Sequence, residues 1–274
     1  MRKYLQFAFI LSLVKVSGIA AIAAEDSLEM NSAARKPVLA IAGVGPQLGF
    51  SIADKFGQEG FRVALISRNK DSLDEYVTKL GEKGVEAAAF PADLTKIDQV
   101  ERAFTEIKDK FGQIDVLEFS PTPPLSLFRS IPMAQLKTDD LMEIMNTYTL
   151  PAIGVTNQVL SGMIEQGKGT IIYTTGDSPI NPVFPELPHL GMAMTVLHDY
   201  AKRINAEKSG VHAMAFCIAG FIKANDEIMD PYKLANRLYE GYKKGTDQEI
   251  VIKGDLSPFE DLLAMGQTKN EGRE

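Results

Sequence analysis

A single cysteine, Cys217, stands in the 274-residue sequence, beside three histidines and no tryptophan. One thiol forms no intrachain disulfide and cannot build a cysteine cluster around a metal. His189, His198 and His212 fall at no spacing that metal motifs use, so no metal is expected. Positive charge is also short: 29 Lys and Arg face 36 Asp and Glu, a net charge of −7. An acidic body excludes nucleic acid as the main partner, because phosphate backbones are bound by basic surfaces. What remains, 45% hydrophobic and 24% charged, is the composition of an ordinary globular protein long enough to bury a large core.

The N-terminus differs from the rest. Met1-Arg-Lys-Tyr4 is basic, Leu5 to Val14 is mostly apolar, and Ala20-Ala-Ile-Ala-Ala24 offers small residues to a signal peptidase. Residues 1–24 therefore read as a secretory signal peptide cut after Ala23 or Ala24, and the protein is expected to be exported to the periplasm or secreted. Lys15 weakens the alternative of a membrane anchor, since a charge near mid-membrane costs roughly 2.5–3.5 kcal/mol. The other alternative is a cytoplasmic protein whose translation starts at Met30. Residues 25–36 read as a polar linker, and residues 37–274 as one domain.

Within that domain strand and helix patterns alternate. Val38 to Ala42 is an apolar run of strand length, and Gln47 to Gln58 is helical and stopped by Gly60. Strands are expected again over Arg62 to Ser67, Val85 to Phe90, Asp115 to Phe119, Gly169 to Thr175, Val211 to Cys217 and Glu249 to Lys253. Between them run helices ending near Lys83 and Phe111, and one long helix from Thr138 to Gln166 with a kink expected at Pro151. Two more follow, over His189 to Lys208 and Pro231 to Lys243. Buried strands joined by helical crossovers predict an α/β fold: a doubly wound, parallel, seven-stranded sheet in a single domain.

The first strand runs into Ala42-Gly-Val-Gly-Pro-Gln-Leu-Gly49, which opens directly into a helix. Gly43 permits a tight turn, Gly49 permits close packing of the helix on the sheet, and the helix start offers N–H groups to a pyrophosphate. Glycines in this context, between a strand and a helix, point to a bound dinucleotide.

The order of these features resembles the short-chain dehydrogenase/reductase family and its Rossmann fold. The family's Thr-Gly-x-x-x-Gly-x-Gly falls on Ala42, Gly43, Gln47 and Gly49, with Gln47 replacing the middle glycine and Gly45 adding flexibility. Arg68, just past the second strand, sits where such enzymes select their cofactor, and a guanidinium there suits the 2′-phosphate of NADP rather than NAD. Asp93 and Leu94 match the family's adenine contact. The resemblance thus implies a nicotinamide dinucleotide, NADP, bound by Gly43, Gly45, Gln47, Leu48, Gly49, Arg68, Asp93, Leu94 and Ser120.

The same resemblance implies a serine that holds the substrate oxygen, a tyrosine that transfers the proton, and a lysine four residues on that lowers the phenol pKa from about 10. Those slots fall on Gly176, Leu190 and Met194, and the family's structural asparagine on Tyr148, with Asn146 nearby. Thr175 and Tyr173 are weak substitutes, and Asp177, Ser178 and His189 are further polar groups near the same edge. Tyr200-Ala-Lys202 has the wrong spacing for the motif. Met192, Met194, Phe184, Leu187, Phe221 and Met229 predict an apolar pocket and a small apolar substrate. Two functions follow: an NADP-dependent oxidoreductase with its usual catalytic groups replaced, or an inactive dinucleotide-binding or interaction module that keeps the fold. The family also implies a homodimer or homotetramer.

Overall fold

The computed structural model describes residues 35–176 and 186–257. Its strands are β1 (Val38–Ala42), β2 (Arg62–Ser67), β3 (Ala87–Pro91), β4 (Val116–Phe119), β5 (Gly169–Thr175), β6 (Val211–Ala219) and β7 (Glu249–Lys253). They form one seven-stranded sheet in the order β3-β2-β1-β4-β5-β6-β7. Every pairing is parallel. The order reverses beside β1, so β1 and β4 diverge at their carboxyl ends and leave the crevice where ligands of open α/β sheets bind. The described residues from Pro37 onward belong to one compact unit. The expected signal peptide and nearly all of the expected linker lie outside the described residues.

Helices cover both faces because the strands are apolar on both. On one face α1 (Leu48–Gln58), α2 (Lys70–Glu82) and α8 (Pro231–Lys244) bury Ile52, Phe56, Leu73, Leu80, Leu234 and Leu238 against Leu39, Ile41, Val63 and Phe216. Phe56 joins α1 to α8 edge-on, with ring centroids 5.0 Å from Tyr239 and 5.1 Å from Phe61. On the other face α3 (Ile97–Phe111), α5 (Leu150–Asn157) and α7 (Pro188–Ala206) bury Phe104, Ile107, Ala152, Val155 and Leu197 against Ala40, Leu117, Ile171 and Tyr173. Helix starts follow local chemistry: Asn69 accepts from Ser72 N–H, and Asp230 accepts from the N–H groups of Tyr232 and Lys233 ahead of Pro231.

The expected long helix is instead three helices. α4 (Thr138–Ile144) passes into a π-helical turn, Met145–Thr149, then α5, then α6 (Leu160–Glu165). Pro151 lies in the first turn of α5. Its ring and missing N–H would disturb the preceding turn of an α-helix, and the wider π turn upstream absorbs that, so the irregularity falls before the proline rather than at it. Smaller departures concern ends: β3 begins later than Val85, and β6 runs on to Ala219, carrying paired backbone closer to the crevice.

Candidate active site

β1 ends at Ala42 and the chain turns at Gly43, whose φ of +94° is in the left-handed region. Gly43 and Val44 both donate to the carbonyl of Ile66, at 2.8 and 3.1 Å, which ties the turn to the end of β2. A Cβ on Gly43 would lie 2.6 Å from Pro121 N, so the loop after β4 also depends on glycine here. Gly49 was expected to bring its helix close to the sheet. The contact it allows is with the turn itself, since a Cβ there would lie 3.1 Å from Val44 Cα. Gln47, expected in the slot of the family's middle glycine, has φ −104°, a value open to any residue. Its side chain makes no capping bond, and helix geometry leaves the first N–H groups, those of Leu48 and Gly49, without an intrahelical partner.

Two adjoining clefts open around this turn. The first, about 490 Å³, is lined by Gly43, Gly45, Arg68, Asp93, Leu94 and Thr95 among others. The second, about 300 Å³, includes Gln47, Leu48, Gly49, Ser120, Thr175 and Met194. Gly43, Gly45, Pro121 and Thr122 belong to both, so the clefts are continuous. All nine residues expected to bind a dinucleotide line this pair, though they come from the ends of four strands. Asp93 is held rigidly: its Oδ1 accepts from Thr95 N–H at 3.0 Å and from Thr95 Oγ1 at 2.8 Å. Burial is the largest single influence on Asp93 and raises its pKa, but the two Thr95 bonds and the charges of Arg68 and Lys96 together outweigh it and lower the value. The carboxylate therefore stays ionised beside the exposed Arg68.

The positions expected to carry proton transfer are arranged otherwise than anticipated. Met194 lines the second cleft, and Gly176 N–H donates to its sulfur at 3.3 Å. Leu190 does not line that cleft. It is buried in the core on the α7 face. Of the residues expected to make an apolar pocket, Leu187 and Met229 are also core, while Met192 and Phe221 are exposed, so Met194 alone of the described ones lines the second cleft. A helical count fixes a side chain's register but not how deeply the helix sits, which explains the difference. Tyr173 is a core residue, fully buried, with its hydroxyl 2.8 Å from Thr156 Oγ1. Burial drives its pKa far up. Tyr200 packs against it, with centroids 6.1 Å apart. His189 is buried with Nε2 2.7 Å from the carbonyl of Leu127, and burial lowers its pKa, so it pins a loop as a neutral ring. Asn146 is exposed. Asp177, Ser178 and Phe184 lie outside the described residues.

Tyr148 reaches the second cleft from the π turn, and its hydroxyl donates to the carbonyl of Thr174. Burial and the neighbouring Glu118 push its pKa well above that of a free phenol, so it holds its proton. Glu118, in the middle of β4, is the residue sequence reasoning missed. It is fully buried on the α1 and α8 face between Ile41 of β1 and Ile172 of β5. Its Oε1 accepts from Thr174 Oγ1 at 2.6 Å, and among the described residues Oε2 has no partner. Burial raises its pKa from 4.5 to about 8, against the bonds from Thr174 and Ser120. Near neutral pH it is therefore mostly a neutral acid beneath two hydroxyls, Ser120 and Thr174, whose residues line the cleft.

A doubly wound sheet with a glycine turn at its switch point defines a nucleotide-binding class of fold. The family model for short chain dehydrogenases matches residues 37–184, more than half of the sequence, and the chain belongs to that family. Among curated relatives, a protein of Streptomyces coelicolor described as a ketoacyl reductase is 26% identical over 190 residues, covering 68% of this chain and 70% of its own length. Carbonyl reductase family member 4 of Xenopus laevis is 28% identical over 135 residues, and the match spans 49% of this chain and 54% of that protein. A crystal structure of a variant actinorhodin polyketide ketoreductase with NADPH superposes with a TM-score of 0.68 at 19% identity, covering 79% of this chain and 95% of that one. At that identity the likeness concerns the fold.

Proposed function

We propose that the protein is an NADP(H)-dependent oxidoreductase acting on a small apolar substrate, with the family's tyrosine and lysine replaced. The observation that carries this reading is the convergence of the glycine turn, the start of α1, Arg68 and Asp93 on one continuous pair of clefts. Their volumes fall in the range of about 300–1,000 Å³ usual for ligand sites. The pyrophosphate is held by the N–H groups at the start of α1. Arg68 pairs with the 2′-phosphate, in keeping with NADP rather than NAD. Asp93 and Leu94 hold the adenine end, and Ser120 belongs to the second cleft, where substrate meets the reactive ring. When bound, the nicotinamide supplies or accepts a hydride.

In this reading no side chain among the described residues takes the part of a phenol with lowered pKa. Tyr148 is held neutral, and Met194 fills the lysine slot. The substrate oxygen is met by the hydroxyl of Ser120, and the chemistry suits acceptors that need little proton assistance, such as activated carbonyls or enones. Recombinant full-length protein should oxidise NADPH with at least one member of a panel of apolar carbonyls and enones. Failure across the panel, with NADPH still bound, favours a second reading, a dinucleotide-binding module without turnover. The mutual engagement of Gly176 N–H and the Met194 sulfur supports that alternative, because it closes the serine and lysine slots on each other.

Two further expectations belong to the proposal. Exposed Met142, Leu150 and Ile164 on α4 to α6 suit association into a homodimer or homotetramer, readable by light scattering. Export with cleavage near Ala24 predicts a native N-terminus at Ala24 or Glu25. Mass spectrometry finding a start at Met30 instead would place the protein in the cytoplasm.

A further inference from the structure

Behind the second cleft, four side chains of ligand type meet at one point. Thr175 ends β5 and stands opposite Cys217 of β6 in the strand register. Glu249 begins β7, and His198 comes from the middle of α7. Thr175 Oγ1 lies 3.2 Å from Cys217 Sγ and 3.1 Å from His198 Nε2. Cys217 Sγ is 3.3 Å from Glu249 Oε1 and 3.6 Å from His198 Nε2. His198 Nδ1 in turn lies 3.3 Å from Glu249 Oε1. One ligand atom each from His198, Cys217 and Glu249 fall within 4.8 Å of one another, and the first two residues are buried.

We propose that His198, Cys217 and Glu249 bind one Zn²⁺ ion, with the Thr175 hydroxyl in the fourth position. Bonds of about 2.0–2.3 Å to a tetrahedral ion separate the ligand atoms by roughly 3.3–3.8 Å. With Nε2 as the His198 donor, its separations from Thr175 Oγ1 and Cys217 Sγ, and those of Cys217 Sγ from Thr175 Oγ1 and Glu249 Oε1, span 3.1–3.6 Å, near that range, while the Glu249 carboxylate, which contacts Nδ1, has to swing toward Nε2, a side-chain adjustment rather than a backbone movement. Charge supports the assignment: one thiolate and one carboxylate neutralise a divalent ion, so a neutral unit replaces a polar cluster in a site with little access to water. A thiolate and an imidazole favour Zn²⁺ over Mg²⁺ or Ca²⁺, which take all-oxygen sets. The Cys217 S–H bond breaks as the S–Zn bond forms, and the proton leaves to the buffer. Four protein ligands make the site structural. It joins β5, β6, the edge strand β7 and α7 immediately behind Thr175, which itself lines the cleft.

The test uses the full-length protein, treated with chelator, dialysed against Zn²⁺, freed of excess and analysed for metal. One Zn²⁺ per chain is expected, with a higher melting temperature than the stripped protein. Replacement by Co²⁺ should give the visible bands of a tetrahedral ion and a near-ultraviolet thiolate-to-cobalt band. Cys217→Ser should abolish the latter while its circular dichroism remains native. Where that variant does not fold, the wild-type cobalt spectrum decides alone. Metal below a tenth of an ion per chain after Zn²⁺ treatment, or bound Co²⁺ without a thiolate band, overturns the proposal.

Discussion

Glu118→Gln should change how stability depends on pH. The carboxyl is fully buried, and its pKa in the folded protein is raised from 4.5 to about 8. Between those values the folded state keeps a proton that the unfolded chain has lost, so the native state binds more protons and unfolding free energy falls as pH rises. At about 1.36 kcal/mol per pH unit, the full window corresponds to ~5 kcal/mol, an order-of-magnitude figure. Below pH 4.5 the effect is absent, and above pH 8 it is complete. Glutamine keeps an oxygen for Thr174 and cannot ionise, so the variant should match wild type near pH 5 and exceed it by several kcal/mol near pH 9. Urea denaturation followed by circular dichroism at half-unit steps from pH 5 to 9 reads the difference directly, since other titrating groups cancel between the two proteins. Parallel stability curves would refute the reasoning and show that Glu118 is solvated or paired in the folded state.

Three other consequences follow from the same structure. Gly43→Ala places a methyl group against Pro121 at a positive φ, and should cost about 1–3 kcal/mol in stability. Nucleotide binding should weaken with it, measured by fluorescence titration with NADPH. Thr156→Val removes the partner of the buried Tyr173 hydroxyl, with an expected cost of about 1–3 kcal/mol by urea denaturation, whereas the double variant with Tyr173→Phe should recover part of it. Arg68→Ala should weaken NADPH by about 10- to 100-fold while leaving NADH nearly unchanged, because the lost contact is to a phosphate that NADH lacks.

Much of this architecture is legible in the sequence because its signals are local. Val38–Ala42 can only be a buried strand, Gly43 marks the turn, and glycines past helices end them where the structure does. The position of Arg68 and Asp93 at the cleft is readable for the same reason: each lies one residue or two beyond a strand that the pattern already defines. What escapes reading depends on depth or on distant partners. Pro151 announces a disturbance, but the backbone absorbs it a turn earlier. Leu190 counts to the slot expected for a tyrosine, yet the depth of α7 buries it in the core. Glu118 is a single acid in an apolar run, and although Ser120, two residues on, shares its face of the strand, nothing near it in sequence reveals the hydroxyl of Thr174, 56 residues away. His198, Cys217 and Glu249 come from α7, β6 and β7, so neither the single cysteine nor the histidine spacing, on which the expectation of no metal rested, reveals that they meet.

The central claim is that the crevice at Gly43 to Gly49 holds NADP(H) and that Arg68 reads its phosphate. Isothermal titration calorimetry of the full-length protein with NADPH and NADH tests it most directly. The account predicts one NADPH per chain, bound at least about tenfold more tightly than NADH. Absence of heat for both nucleotides, at concentrations where related reductases saturate, would contradict it.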